Sequence, residues 1–353
     1  MSESAGVDDR GAGLGANGQI ALVERPSEAL LRASRHPLTH RIATGLESAG
    51  IVEGDRLLLL VSGGSDSMAL LLSVVALGTR RTTFPEGLAL LTVDHGLRAE
   101  AVSEAASVVD AARALGIIDV FAERLAPAAR GNILEVARAG RYSAATRIAR
   151  GMGGATIVAA HQAEDRAESF LMALARREGL AACSKLMPRR EFADWAGAEV
   201  ARPLLDFSRD ELRGFLRDCG VRWIDDPSNA AHRRGAMRAD PATRALIAEI
   251  AGGLSTASDE AAELLALRDA LVAEALSAAG ASGGVSCRRE AFDALPPTAR
   301  RALLARIAAS TGVSVARTVL VDAAASEPRA VRRFACSDGA EIVLARDIVE
   351  IKR

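Results

Sequence analysis

From about residue 36 to residue 225, apolar runs alternate with segments of helical period. Leu57–Val61 is an uninterrupted apolar run, as expected of a strand buried on both faces. Met68–Leu77 reads as a helix and Leu88–Val93 as the next strand, ending at Asp94-His95-Gly96. Val102–Leu115 is an amphipathic helix closed by Gly116, and Asp119–Arg124 a short strand. Asn132–Arg150 is a helix closed by glycines, Thr156–Ala160 a strand, and Ala163–Ala175 a helix. Gly179–Gly197 reads as loop. Ser208–Cys219 is a helix whose Ser208 and Glu211 have capping-box spacing. This alternation predicts an α/β fold, a doubly wound, Rossmann-like parallel sheet. Ligands of such sheets bind beyond the carboxyl ends of the strands, at the topological switch point.

The pattern changes after Asp226-Pro227. Residues 235–280 and 290–312 read as helical, and residues 331–352 as a β-hairpin turning at Asp338-Gly339. A boundary near residue 230 divides a domain over 31–230 from a smaller, mainly helical region over 231–353 that ends in the hairpin. Residues 1–30 are expected to be a poorly ordered segment, Gly/Ala/Asp-rich at its start.

Composition narrows the chemistry. Of 353 residues 49% are hydrophobic but only 3% aromatic, so the core must be built from Ala, Leu, Val and Ile. A net charge of −1 gives no global signal for a polyanion, so any nucleic-acid contact must come from local patches. Lys185 and Lys352 are the only lysines, leaving arginine to supply the positive charge. Cys183, Cys219, Cys287 and Cys336 are scattered without a C-x-x-C pair, so neither a zinc knuckle nor a redox dithiol is indicated, and the pattern fits free thiols in a cytoplasmic protein. No apolar run is long enough to span a bilayer, so no membrane partner is expected.

The most informative segment is Ser62-Gly63-Gly64-Ser65-Asp66-Ser67, between the first strand and its helix. A turn of this kind aims backbone N–H groups and a helix N-terminus at one spot, which makes an anion site. Ser62, Ser65 and Ser67 add hydroxyls. Asp66 would repel a phosphate unless a divalent cation lay between them, so the segment points to ATP phosphates with Mg²⁺. It is neither a Walker A loop nor the dinucleotide G-x-G-x-x-G. Asp94 and His95, at the next strand end, stand where such a sheet contacts its nucleotide; a polar turn is the alternative. His161, Asp165 and Glu168 follow the strand Thr156–Ala160 and, on a helix, share one face. They suit Mg²⁺ coordination or the anchoring of an amine. Arg138 and Arg141, with Arg147 and Arg150, lie on related helix faces and are followed by Arg176, Arg177, Lys185, Arg189, Arg190, Arg233, Arg234 and Arg238. A solvated face and a phosphate-binding patch fit these arginines equally.

S-G-G-S-D-S resembles the PP-loop of the N-type ATP pyrophosphatases, which split ATP between the α- and β-phosphates. The succession S-G-G-S-D-S, V-D-H-G-L-R, N-x-L-x-x-A-R-x-x-R-Y, H-x-x-x-D-x-A-E-S, R-P-L-L and D-P-S-N, over about residues 38–230, is similar to the tRNA(Ile)-lysidine synthetase family. The resemblance implies a carbon–nitrogen ligase. ATP would adenylate the wobble cytidine of the CAU anticodon of isoleucine tRNA, releasing pyrophosphate, and free lysine would displace AMP to give lysidine. By the same resemblance Ser62–Ser67 would hold the pyrophosphate, Asp66 and Asp165 Mg²⁺, Glu168 and His161 would complete the catalytic set, and Arg202 would contact substrate. A homodimer remains open. The chain departs from the family pattern at Glu164, at Arg166, in the loop Arg176-Arg177-Glu178-Gly179 and in the arginine string after D-P-S-N, which is shortened to Arg233, Arg234 and Arg238. The competing readings are another PP-loop tRNA-modifying ATPase, such as a thiolase, and a non-catalytic nucleotide- or RNA-binding protein on a degenerate PP-loop fold.

Overall fold

The computed structural model describes residues 21–80, 84–96, 100–125, 133–183, 186–192, 198–225, 233–277 and 286–352. Residues 1–20, Leu97 and Arg98, Asn132, Lys185 and the Asp226–Asn229 string lie outside the described residues. The chain divides into two compact units, one ending at Ser258 and the other beginning at Asp259.

In the first unit the predicted strands β1 (Arg56–Leu60), β2 (Gly87–Asp94), β3 (Asp119–Arg124) and β4 (Thr156–Ala159) form a parallel sheet in the order β3-β2-β1-β4. Two further strands extend it: β5 (Arg189–Phe192) and β6 (Ala198–Ala201). β6 pairs parallel with β4, and β5 runs antiparallel along the outer edge. β5 lies inside the stretch expected to be loop. Its sequence, Arg189-Arg190-Glu191-Phe192, has no apolar alternation, and it is extended because β6 offers a partner edge.

β1 sends Leu57 and Leu59 into one core and Leu58 into another, all three with no exposed surface. The first core takes α1 (Pro26–Arg35), α2 (Pro37–Ser48), α3 (Ser65–Gly78), α4 (Ala101–Ala114) and α7 (Arg209–Cys219); the second takes α5 (Ile133–Gly151). Burying each leucine stabilises the sheet by about 1.5–3 kcal/mol, and this two-sided burial is why the strand reads as a solid apolar run. The order begins earlier than expected. Leu22 and Val23 are buried, Val23 bridges Val221, and α1 turns Ala29 and Ala33 inward. Ser208 and Glu211 form the predicted capping box on α7.

α6 (Ala163–Ala175), α8 (Arg233–Ala239) and α9 (Pro241–Ala251) also belong to this unit. Ala163 and Ala167 of α6 pack on Ile247 and Ala251 of α9 and on Leu254, so the compact unit continues past the change of pattern near residue 230. The second unit holds the last part of α10 (Leu254–Ser277), then β7 (Ser286–Arg288), α11 (Arg289–Ala294), α12 (Pro297–Thr311), α13 (Arg317–Ala324), β8 (Arg332–Ala335), β9 (Glu341–Leu344) and β10 (Ile348–Lys352). The predicted hairpin is β8–β9, and it sits in a four-stranded antiparallel sheet in the order β7-β10-β9-β8. Two buried arginines tie this unit together. Arg300 donates to the carbonyls of Phe292, Leu295, Ser326 and Asp293, and Arg289 to those of Ala330, Ala345 and Glu327.

Candidate active site

The connection leaving β1 leads to β2 on one side, while β4 flanks β1 on the other, so the switch point lies between the carboxyl ends of β1 and β4. The Ser-Gly-Gly loop leaves β1 there. Gly63 has φ +85°, and its carbonyl accepts the Ile224 N–H at 2.8 Å. A Cβ on Gly63 would lie 2.7 Å from Ile224 Cδ1 and 3.0 Å from Val108 Cγ2, so both conformation and space demand glycine. Gly64 is the N-cap of α3 and brings no side-chain cap. The helix begins at Ser65, three residues before the predicted start, which puts Asp66 in its first turn. Ser67 Oγ donates to the Gly64 carbonyl at 2.9 Å and accepts the Ser62 N–H at 3.2 Å, so this hydroxyl fixes the loop. Ser65 Oγ donates to Asp66 Oδ1 at 3.0 Å. Ser62 is exposed. The uncapped start of α3, with its positive dipole end, remains for an anion.

Asp66, at the end of this loop, is joined by three carboxylates from α6, Glu164, Asp165 and Glu168. Asp66 is pushed up to about 6, first by burial, with the Arg209 guanidinium opposing and the charges of Asp165 and Glu164 adding. Arg209 Nε stands 3.8 Å from Asp66 Oδ2. Glu164 accepts the Arg209 N–H, at the first turn of α7, with both oxygens at 3.2 Å; burial raises its pKa as well. Asp165 is held on two sides: Oδ2 accepts the Gln162 N–H at 3.2 Å in the capping box of α6, and Oδ1 accepts from Arg238 Nη2 at 3.0 Å. Glu168 has no exposed surface and takes both Nε and Nη2 of Arg238, the latter at 2.9 Å. The expected shared helical face does not form as drawn. Gln162 is the N-cap, with φ −120° and ψ −176°, so His161 precedes the helix while Asp165 and Glu168 lie on it.

A basic and imidazole group borders the acids. His161 is held neutral, chiefly by burial, with Asp165 favouring its charge and Arg202, Arg138 and Arg141 opposing it. Its Nδ1 is buried without a hydrogen-bond partner, as is Nδ1 of His95. Burial and the Arg141 charge also lower the His95 pKa. Arg138 and Arg141 stack on the buried Tyr142 ring at 5.0 and 5.6 Å. Both are half-buried beside this ring. Arg202 is buried, and its Nη1 donates to the Met187 carbonyl at 3.0 Å. Asp94 closes a turn, Oδ1 accepting the Gly96 N–H at 2.7 Å, while Oδ2 lies 3.4 Å from Arg124 Nε. Arg166 is buried and pairs with Asp206 at 3.3 Å.

Sequence reasoning gave no role to Arg209 or Ile224, and gave Arg238 as a basic point and as part of the shortened arginine string after D-P-S-N, with no acidic partner. Arg209 follows the N-cap Ser208, but nothing in the sequence says that Asp66 is its neighbour. Among the described residues no group of three or more His, Cys, Asp or Glu side chains is arranged to hold a metal ion unaided. Mg²⁺ usually takes one or two carboxylates and completes its shell with phosphates and water. Asp66 fits that use. It is partly exposed, its burial works against its charge, and a cation would relieve that. Asp165, whose two oxygens each accept a hydrogen bond, adds its negative charge beside Asp66.

A parallel sheet with S-G-G-S-D-S at its switch point and acids facing it defines the PP-loop class, and residues 36–240 match the PP-loop domain family. The chain is 37% identical over 216 residues to the tRNA(Ile)-lysidine synthase of Ruegeria pomeroyi, covering 58% of this chain and 49% of that protein. It is 36% identical over 265 residues to the enzyme of that name from Bradyrhizobium sp., covering 71% and 72%. With the Salinispora tropica protein of the same name the identity is 36% over 226 residues, covering 63% and 62%. The chain belongs to the tRNA(Ile)-lysidine synthase family of PP-loop proteins. The match spans about half the length of the Ruegeria relative and just over two thirds of the Bradyrhizobium one.

Proposed function

We propose that the protein ligates lysine to the wobble cytidine of the CAU anticodon of isoleucine tRNA through an adenylated cytidine, cleaving ATP to AMP and pyrophosphate. The observation that carries this is the facing of the uncapped Ser62–Asp66 loop and the Asp165–Glu168 acids across one switch point, in a chain of this family. The loop N–H groups and the α3 dipole take the pyrophosphate portion of ATP. Asp66 holds Mg²⁺, which supplies charge neutralisation at the phosphates, and Asp165 adds negative charge beside it. Asp94 and His95 flank the nucleotide at the end of β2. Arg138, Arg141 and Arg202, on the cationic side, take the substrate's phosphate and base edges. Glu168 receives the lysine ε-ammonium, which must lose a proton before it attacks. His161, held neutral, adds no positive charge near that amine and serves as a hydrogen-bonding wall. The region after residue 230 holds the rest of the tRNA, in a cytoplasmic enzyme that works as a monomer or homodimer. In the described residues no helix is long and apolar enough to cross a membrane.

The test is incubation of the protein with ATP, radiolabelled lysine and total tRNA. Label in the isoleucine tRNA fraction, dependent on ATP, is the expected result. ATP–pyrophosphate exchange that needs tRNA, but no label from lysine, would point to another acceptor or amine. No exchange with any tRNA would leave the non-catalytic reading.

A further inference from the structure

We propose that Arg238 determines access to the amine site: its guanidinium holds the cation position between Asp165 and Glu168, and an alkylammonium substrate reaches Glu168 only by displacing it. This deepens, and rests on, the reading of Glu168 as the lysine-binding carboxylate. Three observations carry it. Glu168 has no exposed surface, while the Arg238 side chain is 29% exposed, so the arginine covers the acid from the solvent side. Arg238 engages both oxygens of Glu168 and Oδ1 of Asp165, whose Oδ2 accepts the Gln162 N–H in the capping box. Each of the four carboxylate oxygens already accepts a bond, three of them from Arg238, so a cation that takes Arg238's position between the two acids must replace those three bonds. The exchange is also balanced in charge. One monocation leaves as another enters, so the net charge of the pair is the same before and after, and Glu168 is not left buried without a cation at either end of the exchange.

The planar guanidinium fork matches two carboxylates one helical turn apart, whereas an ammonium is a compact point charge that satisfies one carboxylate well. Arg238 therefore acts as an internal competitor. A site open one tenth of the time weakens the apparent affinity about tenfold. That competition disfavours short or weakly held amines and admits one whose other groups add binding energy, such as a free amino acid with its own carboxylate.

The test compares the full-length protein with Arg238→Met and Arg238→Lys, each first checked by thermal melting. L-lysine binding is measured by calorimetry, and its KM in the tRNA-labelling assay. Arg238→Met is expected to lower both the lysine Kd and KM about tenfold, whatever happens to kcat, and Arg238→Lys to keep them within about threefold of wild type. A folded Arg238→Met protein with unchanged or raised lysine Kd overturns the proposal, because a merely structural arginine would give that result. If Arg238→Met does not fold, the side-chain Nε–H resonance of Arg238 in wild type, assigned by its absence from Arg238→Lys, gives the answer. It should move on lysine saturation, and an unmoved resonance overturns the proposal. If wild type neither binds lysine nor labels tRNA, the functional reading fails separately. The same resonance is then titrated with n-butylammonium, where movement supports displacement and none overturns it.

Discussion

Asp66 makes the ligand-free protein less stable than it could be, and Asp66→Asn should show this. The carboxyl titrates near 6 in the folded state against an ordinary 3.8, chiefly because burial disfavours its charge. The native state therefore holds this proton more tightly than the unfolded chain does. Below about pH 4 both states are protonated and there is no penalty. As pH rises from about 4 to 6 the unfolded chain ionises first and stability falls. Above about 6 the loss is constant. At about 1.4 kcal/mol per pK unit the ceiling is about 3 kcal/mol. Asp66→Asn keeps shape and removes the charge, so at pH 8 it should raise stability by about 1–3 kcal/mol, or ~2–4 °C in the melting of a unit this size for each kcal/mol. At pH 4 the gain should vanish.

The assay is a pair of melts, wild type and Asp66→Asn, at pH 4 and pH 8, repeated with a non-hydrolysable ATP analogue and Mg²⁺. With ligand the order should reverse at pH 8. Wild type gains about 2.7 kcal/mol at a ligand concentration of 100 Kd, and a variant lacking the metal carboxylate gains little. ATP-dependent labelling of tRNA should be lost in the variant. An Asp66→Asn protein less stable than wild type at pH 8, or a difference that does not change with pH, would refute the reasoning. Either result would mean that the Arg209 pair and the Ser65 hydroxyl more than offset the desolvation.

Gly63→Ala should destabilise the first unit by about 1–3 kcal/mol in urea unfolding, because φ +85° and the 2.7 Å approach to Ile224 both resist a methyl group; a neutral substitution would mean that the loop relaxes. Arg300→Met leaves four carbonyls without their donor and should lower the stability of the second unit by about 2–4 kcal/mol, read as a downward shift of that unit's melting while lysine binding is kept. Glu168→Gln should let AMP-linked tRNA accumulate by blocking the amine step, whereas Asp165→Asn should prevent its formation, as followed by labelled ATP and gel separation; equal loss of adenylation in both would make the pair one shared site.

What the sequence could and could not disclose follows from the range of the forces involved. The four parallel strands β1–β4 were legible because two-sided burial demands solid apolar runs, and Leu57–Val61 has no other use. The start of α6 and the capping box of α7 were legible because their signals are local, within three residues. β5 was not, because an edge strand is made by its neighbour's free hydrogen-bonding groups rather than by its own side chains. The early start of α3 was missed for a related reason. Gly64 and Ser65 look like turn residues, and only the packing of Ile224 over Gly63 sets where the turn ends.

The candidate site divides in the same way. Its carboxylates were legible because Asp66, Asp165 and Glu168 follow the ends of two apolar strands, where such a sheet contacts its ligand, although a helix start alone would also favour acids there. Its cations were not. Arg209 is a first-turn helix residue near Asp66, and Arg238 comes from a helix some seventy residues after the acids it binds. A chain with only two lysines spends arginine on everything from surface solvation to the Arg289 and Arg300 hubs, so residue type alone cannot mark the few that matter. What distinguishes Arg238 is that its partner Glu168 is wholly buried. A buried carboxylate that keeps its charge needs a cation, and on the reading proposed above the identity of that cation, arginine or amine, sets whether the site is closed or occupied.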